Sequence, residues 1–168
     1  MPEIYNSKEL VYPDTLQIGD DNWLVQQPFV YTFTKDGRQQ NILVPSGLTT
    51  DYGSIPKFAQ NIIEPIGHYA ACYIVHDLMY AAELFPRSEC DWILLCHLQE
   101  KGCLWLRRNT VYSAVRAGGW NVWRKHDQDA VDSLRAMIIQ TKFEMSVSQN
   151  KWGIIYNPVN DSFGMAVA

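Results

Sequence analysis

The run His68–Phe85, HYAACYIVHDLMYAAELF, carries Ala71, Ile74, Val75, Leu78 and Ala82 at helical spacing and is halted by Pro86. It predicts a helix that is apolar except for one polar pair, His76-Asp77. Upstream the period changes. In Asn22–Val44, Trp23 and Val25, then Phe29, Tyr31 and Phe33, recur at every second position, and Lys35-Asp36-Gly37-Arg38 supplies a turn before Ile42–Val44. This is the pattern of a small antiparallel β unit. Downstream, Ser88 is placed to cap a second helix with Glu89 and Asp91 in its first turn, Leu94, Leu95 and Leu98 on its apolar face and Lys101-Gly102 at its end. A third helix is predicted over Asn109–Arg116, broken by Gly118-Gly119 before the aromatic and basic segment WNVWRKH. A fourth, Asp129–Met145, aligns Ala130, Leu134, Met137, Ile138, Thr141 and Met145 on one stripe. The tail after Ser146 reads as irregular, with Trp152–Tyr156 a candidate last strand. The fold class is therefore α+β: a small antiparallel β unit in the N-terminal part, packed on a bundle of about four helices.

At 168 residues and 19.3 kDa the chain has room for one sizeable domain. Residues 1–126 are expected to form a single α+β domain, and 127–168 a C-terminal helix and extension packed on it or on a partner. A content of 47% hydrophobic and 19% charged residues belongs to a folded globular chain, and six Trp suit dense packing or broad contact surfaces. The formal charge of -4 argues against binding nucleic acid, which calls for a concentrated basic face. Arg107, Arg108, Arg116, Arg124 and Lys125 are a local exception. Cys72, Cys90, Cys96 and Cys103 contain no CxxC pair and are expected to be reduced core thiols. MPEIYNSKEL lacks the basic start and apolar run of a signal peptide, and no apolar stretch approaches a membrane span, so synthesis in a cytoplasm is expected.

Val44–Pro56, VPSGLTTDYGSIP, combines strand-ending Pro45 and Gly47 with a constrained loop, Thr49–Ser54, that carries Asp51 and Ser54. Carboxylates and imidazoles are costly in apolar surroundings unless something satisfies them. His76 and Asp77 therefore need partners, and Asp91, at the edge of the Leu95–Leu98 stripe and pointing inward, is a third member of a possible polar site. If Asp51, His76, Asp77 and Asp91 converge, they form an oxygen-rich site with one imidazole, suited to zinc, manganese or magnesium or to a carboxylate-oriented general base. The same residues also suit a structural network: a His-Asp hydrogen bond, a first-turn helix charge and an Asx-type loop brace. There is no HExxH, no Gly-rich phosphate loop and no GxSxG elbow.

The chain resembles a family, the domain of unknown function thirteen fifty-three, found in tailed bacteriophages and prophages. Its first motif is similar to Val44, Pro45, Gly47, Thr50, Asp51, Ser54, Ile55 and Pro56, with Leu48 and Gly53 departing from the pattern. The second is similar to Ala71 or Ala70 followed by His76, Asp77 and Tyr80, the third to Arg87, Glu89 and Asp91, and the fourth to Tyr112, Ala114, Val115 and Arg116. Four ordered motifs between Trp23 and Gly119 are more specific than any one alone.

The resemblance implies a phage or prophage origin and a shared polar site. One functional expectation is a structural or accessory component of the virion, in the tail or baseplate, made in the host cytoplasm and assembled symmetrically with other virion proteins. The other is a metal-dependent hydrolase acting on the bacterial cell wall, peptidoglycan peptide or glycan. In that case His76, Asp77 and Asp91, with Asp51 beside them, hold the metal, a carboxylate acts as base, and Ser54 or Tyr80 orients substrate.

Overall fold

Helix α1, Ala70–Ala81, buries ten of its twelve residues, because a run that is apolar but for His76-Asp77 has little face to give to solvent and must be surrounded. The computed structural model describes residues 13–20, 22–52, 67–125, 127–146 and 154–165. Around α1 stand α2, Arg87–Glu100, and α4, Gln128–Met145, with α3, Trp105–Trp123, packed on α2. Ile74, Leu78 and Met79 are almost wholly buried, each contributing about 1.5–3 kcal/mol by leaving water.

Two helix ends are closed in the same way. Leu84 N–H reaches Met79 O and Glu83 N–H reaches Tyr80 O around Glu83 at φ 46°, a Schellman closure. After α2 the equivalent bonds, Cys103 N–H to Leu98 O and Gly102 N–H to Gln99 O, form around Gly102 at φ 76°. Arg135 of α4 then fastens the end of α1 by donating to the carbonyls of Ala82 and Glu83.

The strands form small antiparallel sheets. β3, Phe29–Lys35, and β4, Arg38–Val44, make a hairpin turned by Asp36 and Gly37, both at positive φ. β4 lies against α1 and α4. β1, Thr15–Gln17, β2, Trp23–Val25, and β5, Thr49–Thr50, form a second sheet in the order β1-β2-β5, with Trp23 opposite Thr50. β6, Ile154–Asn157, and β7, Ser162–Met165, form a third.

The α+β expectation with about four helices is met, while several boundaries differ. The β unit over Asn22–Val44 is divided between two sheets, and Thr49–Thr50, expected in a loop, is a strand because β2 offers it an edge. α2 starts at Arg87 after Pro86, with no side-chain cap from Ser88. α3 runs through Gly118-Gly119 to Trp123, with Gly119 set closely against Tyr80 of α1. The tail beyond Ser146 is a hairpin in its described part.

Candidate functional site

Asp91 is fully buried near the start of α2, and four donors from three helices surround it. His76 Nε2 lies 3.0 Å from Oδ1, and the hydroxyl of Tyr80, one turn further along α1, donates to the same oxygen at 2.5 Å. Arg116 of α3 donates to Oδ2 at 2.7 Å, and Arg87, at i−4 on α2, stands 3.6 Å from it. Arg87 also donates to the carbonyl of Arg116, holding α3 against α2. Burial raises the Asp91 carboxyl pKa, but hydrogen bonds from His76, Tyr80 and Arg116 outweigh it and hold the group below the usual carboxylate range. Burial, together with the bond to Asp91, raises the Tyr80 phenol and keeps it protonated.

An ionised carboxylate only accepts, so the proton between His76 and Asp91 belongs to Nε2. In its neutral form the ring keeps its lone pair on Nδ1. Tyr80 packs on the imidazole with ring centroids 4.3 Å apart, and Trp123 meets Tyr80 edge-on at 5.2 Å. The ring is therefore fixed both by hydrogen bonding and by packing.

His76 and Tyr80 line a cavity of about 620 Å³ between α1, α3, α4 and β5. Thr50, Asp51 and Asp77 line it too, whereas Asp91 lies behind His76 and Tyr80. Pairing with Trp23 places Thr50 so that its hydroxyl donates to Asp77 Oδ2 at 2.5 Å and accepts Tyr52 N–H at 2.9 Å. Tyr52, at φ 58°, is buried, and its hydroxyl lies 2.8 Å from Thr15 Oγ1, while Asp51 beside it is exposed at the cavity edge.

Four of the residues picked from the sequence thus border or support one place. His76 and Asp91 are bonded to each other, Asp77 is bonded to Thr50, and Asp51 shares the cavity wall. Ser54 lies outside the described residues. His76, Asp77 and Asp91 do not fit one shared cation. Both Asp91 oxygens already accept hydrogen bonds, two guanidinium groups stand against Oδ2, and Nε2 of His76 is spent on Asp91. Among the described residues no three His, Cys, Asp or Glu side chains gather to hold a metal ion. Of the other histidines, His68 bonds the Lys101 carbonyl, His97 stacks under Tyr31 at 3.8 Å, and His126 is outside the described residues.

Thr50, Arg87 and Arg116 have roles that residue-by-residue reading misses. The i, i+4 spacing of Arg87 and Asp91 is a local signal for one contact. Gly119 carries a signal as a glycine in a helix. A Cβ there would lie 2.6 Å from Tyr80 Oη, so its absence lets α3 close on the phenol that reaches Asp91.

Fold and site together define an α+β domain in which a buried carboxylate orients an imidazole and a phenol at the wall of a cavity. A family model described as protein of unknown function (DUF1353) matches residues 23–115, more than half of the chain, and the chain belongs to that family. No curated protein and no solved structure matches it. Among the described residues no helix is long and apolar enough to cross a membrane.

Proposed function

We propose that the cavity is an acid–base active site in which His76 is the general base, held by Asp91, and that its reaction is hydrolysis. The observation that carries this reading is His76 itself: it lines the cavity while its Nε2–H is committed to a carboxylate with no exposure to solvent. Such a carboxylate fixes tautomer and orientation and stabilises the imidazolium formed when Nδ1 takes a proton. In the hydrolytic step water gives a proton to Nδ1 while its oxygen attacks a carbonyl carbon. The proton then passes to the leaving group as its bond to that carbon breaks. Arg116 and Arg87 keep Asp91 ionised, so the negative charge facing the imidazolium is retained.

The substrate class that accompanies this proposal is bacterial cell-wall peptide, in keeping with the phage association suggested by the motif resemblance. Purified peptidoglycan incubated with the protein is expected to release soluble fragments, with His76→Gln lowering the rate by about 10²–10⁴-fold. A folded His76→Gln variant that is as active as wild type overturns the role of His76. A wild type that releases nothing overturns the substrate and the reaction together.

A second reading concerns location. Leu104, Trp105 and Leu106, at the start of α3, are 67–76% exposed, an apolar patch suited to contact with other proteins. We propose a place in a phage tail or baseplate, next to other virion proteins. Fractionation of purified virions followed by mass spectrometry tests this, and absence of the chain from virions of its own phage refutes it.

A further inference from the structure

Two helices turn faces to solvent that are apolar and opposite in charge. On α3 the Leu104–Leu106 patch is one end of a longer face. Trp105, Leu106, Ser113, Ala117, Trp120 and Arg124 are all exposed and fall within about a third of the helix circumference. Charge along this helix is one-sided: six of the chain's 14 Lys and Arg lie between Lys101 and Lys125, a stretch that holds none of its 18 Asp and Glu. Arg116 is spent on Asp91, which leaves Arg124 and Lys125 exposed at one end and half-buried Arg107 and Arg108 flanking the other. Arg124 stands over the Trp120 ring, 5.2 Å from its centroid, and so keeps its charge beside the apolar surface.

α4 has the complementary character. It gives Val131, Thr141 and Met145 to the interior, and on the opposite side Asp129, Asp132, Ala136, Ile139 and Phe143 form an exposed stripe. Ile139 and Phe143 are 68% and 67% exposed. The basic residues of this helix are engaged elsewhere: Arg135 donates to the carbonyls of Ala82 and Glu83 and stands 3.7 Å from Asp132, and Lys142 pairs with Asp161. The two helices, of 19 and 18 residues, match in length at about 27 Å.

We propose that the α3 face of one copy of this chain docks on the α4 face of the next. The inference rests on reading the Leu104–Leu106 patch as a contact surface and names its partner. Trp105, Leu106 and Trp120 leave water against Ile139 and Phe143, while the basic ends of α3 meet Asp129 and Asp132. The two faces are different patches of one surface, so the contact is heterologous. Each copy uses both, and copies close into a ring or extend as a filament. A single helix pair buries an area at the low end for protein interfaces, so association is weak for each pair and depends on concentration.

The test is sedimentation equilibrium of the full chain at concentrations up to millimolar, with Leu106→Asp and Ile139→Asp as exposed-face variants and circular dichroism to check their fold. Wild type is expected to exceed dimer mass as concentration rises and to associate several-fold more weakly in high salt. Each variant alone should stay monomeric. Mixed in equal amounts they should form a one-to-one dimer and stop there, because Ile139→Asp still offers α3 and Leu106→Asp still offers α4. A wild type that stays monomeric, association indifferent to salt, a dimer that persists in either variant alone, or a mixture that stays monomeric overturns the inference. Purified chain alone is measured, so this failure is separate from absence of the chain from virions.

Discussion

Replacing Gly119 with Ala tests whether the Tyr80–Asp91 bond depends on the close approach of α3. The added Cβ would lie 2.6 Å from Tyr80 Oη, 3.2 Å from Cε1 and 3.3 Å from Cζ. The hydroxyl must retreat by about 0.8 Å to reach ordinary contact at 3.4 Å. Retreat is obstructed because Trp123 and His76 already hold the ring, so the bond to Asp91 is stretched or lost. A hydrogen bond to a charged group contributes about 1.5–3 kcal/mol. Alanine regains about 1 kcal/mol of helix preference over glycine, which leaves a net loss of about 0.5–2 kcal/mol. Urea unfolding followed by tryptophan fluorescence measures it. The decisive comparison is the same substitution in a Tyr80→Phe background, where the 2.6 Å contact is gone, only the 3.2 and 3.3 Å contacts to the ring remain, and Gly119→Ala should cost less than it does beside Tyr80. An equal cost in both backgrounds, or a Gly119→Ala protein more stable than wild type, would refute the reasoning.

Asp91→Asn leaves two guanidinium groups and an imidazole without their anion. The expected loss is about 2–4 kcal/mol, below the usual maximum for a buried pair because Arg116 keeps 35% of its side chain in solvent. The same carboxylate governs acid stability: its folded pKa is depressed, so its contribution is present above about pH 4 and is lost as pH falls towards the folded value. Urea midpoints measured against pH should show a steeper acid fall for wild type than for Asp91→Asn, and parallel curves would refute this. Zinc, manganese or magnesium in excess should leave the melting temperature in place, because Asp91 has no oxygen to spare. A rise that disappears in His76→Gln would restore the three-ligand metal set. Burial pushes the Cys90 thiol up to about 12 and raises that of Cys72, so a thiol reagent on the native protein should label half-buried Cys96 first. Equal labelling rates at all four cysteines would contradict that order.

Much of the architecture was legible because its causes are local. The apolar run of α1, the alternation of β3 and the Asp36-Gly37 turn depend on residues within one helical turn or one hairpin of each other. Inward-pointing Asp91 and the need of His76 for a partner were equally legible, since buried charge requires compensation. Local rules erred where packing overrode them. Gly118-Gly119 reads as a helix break, yet Gly119 stays helical beneath Tyr80, and Ser88 reads as a cap where the chain enters α2 directly from Pro86.

The sequence by itself determined the elements, the α+β class and the set of polar residues too costly to leave unsatisfied. Only the tertiary structure decided which partner each one took. Asp91 rather than Asp77 joined His76, and Thr50, 27 residues from Asp77, took that carboxylate. Arg116, 25 residues from Asp91, supplied the countercharge. Periodicity is set by backbone geometry along a few residues, whereas a hydrogen bond requires two atoms within about 3 Å, a distance that arises only when separate elements pack.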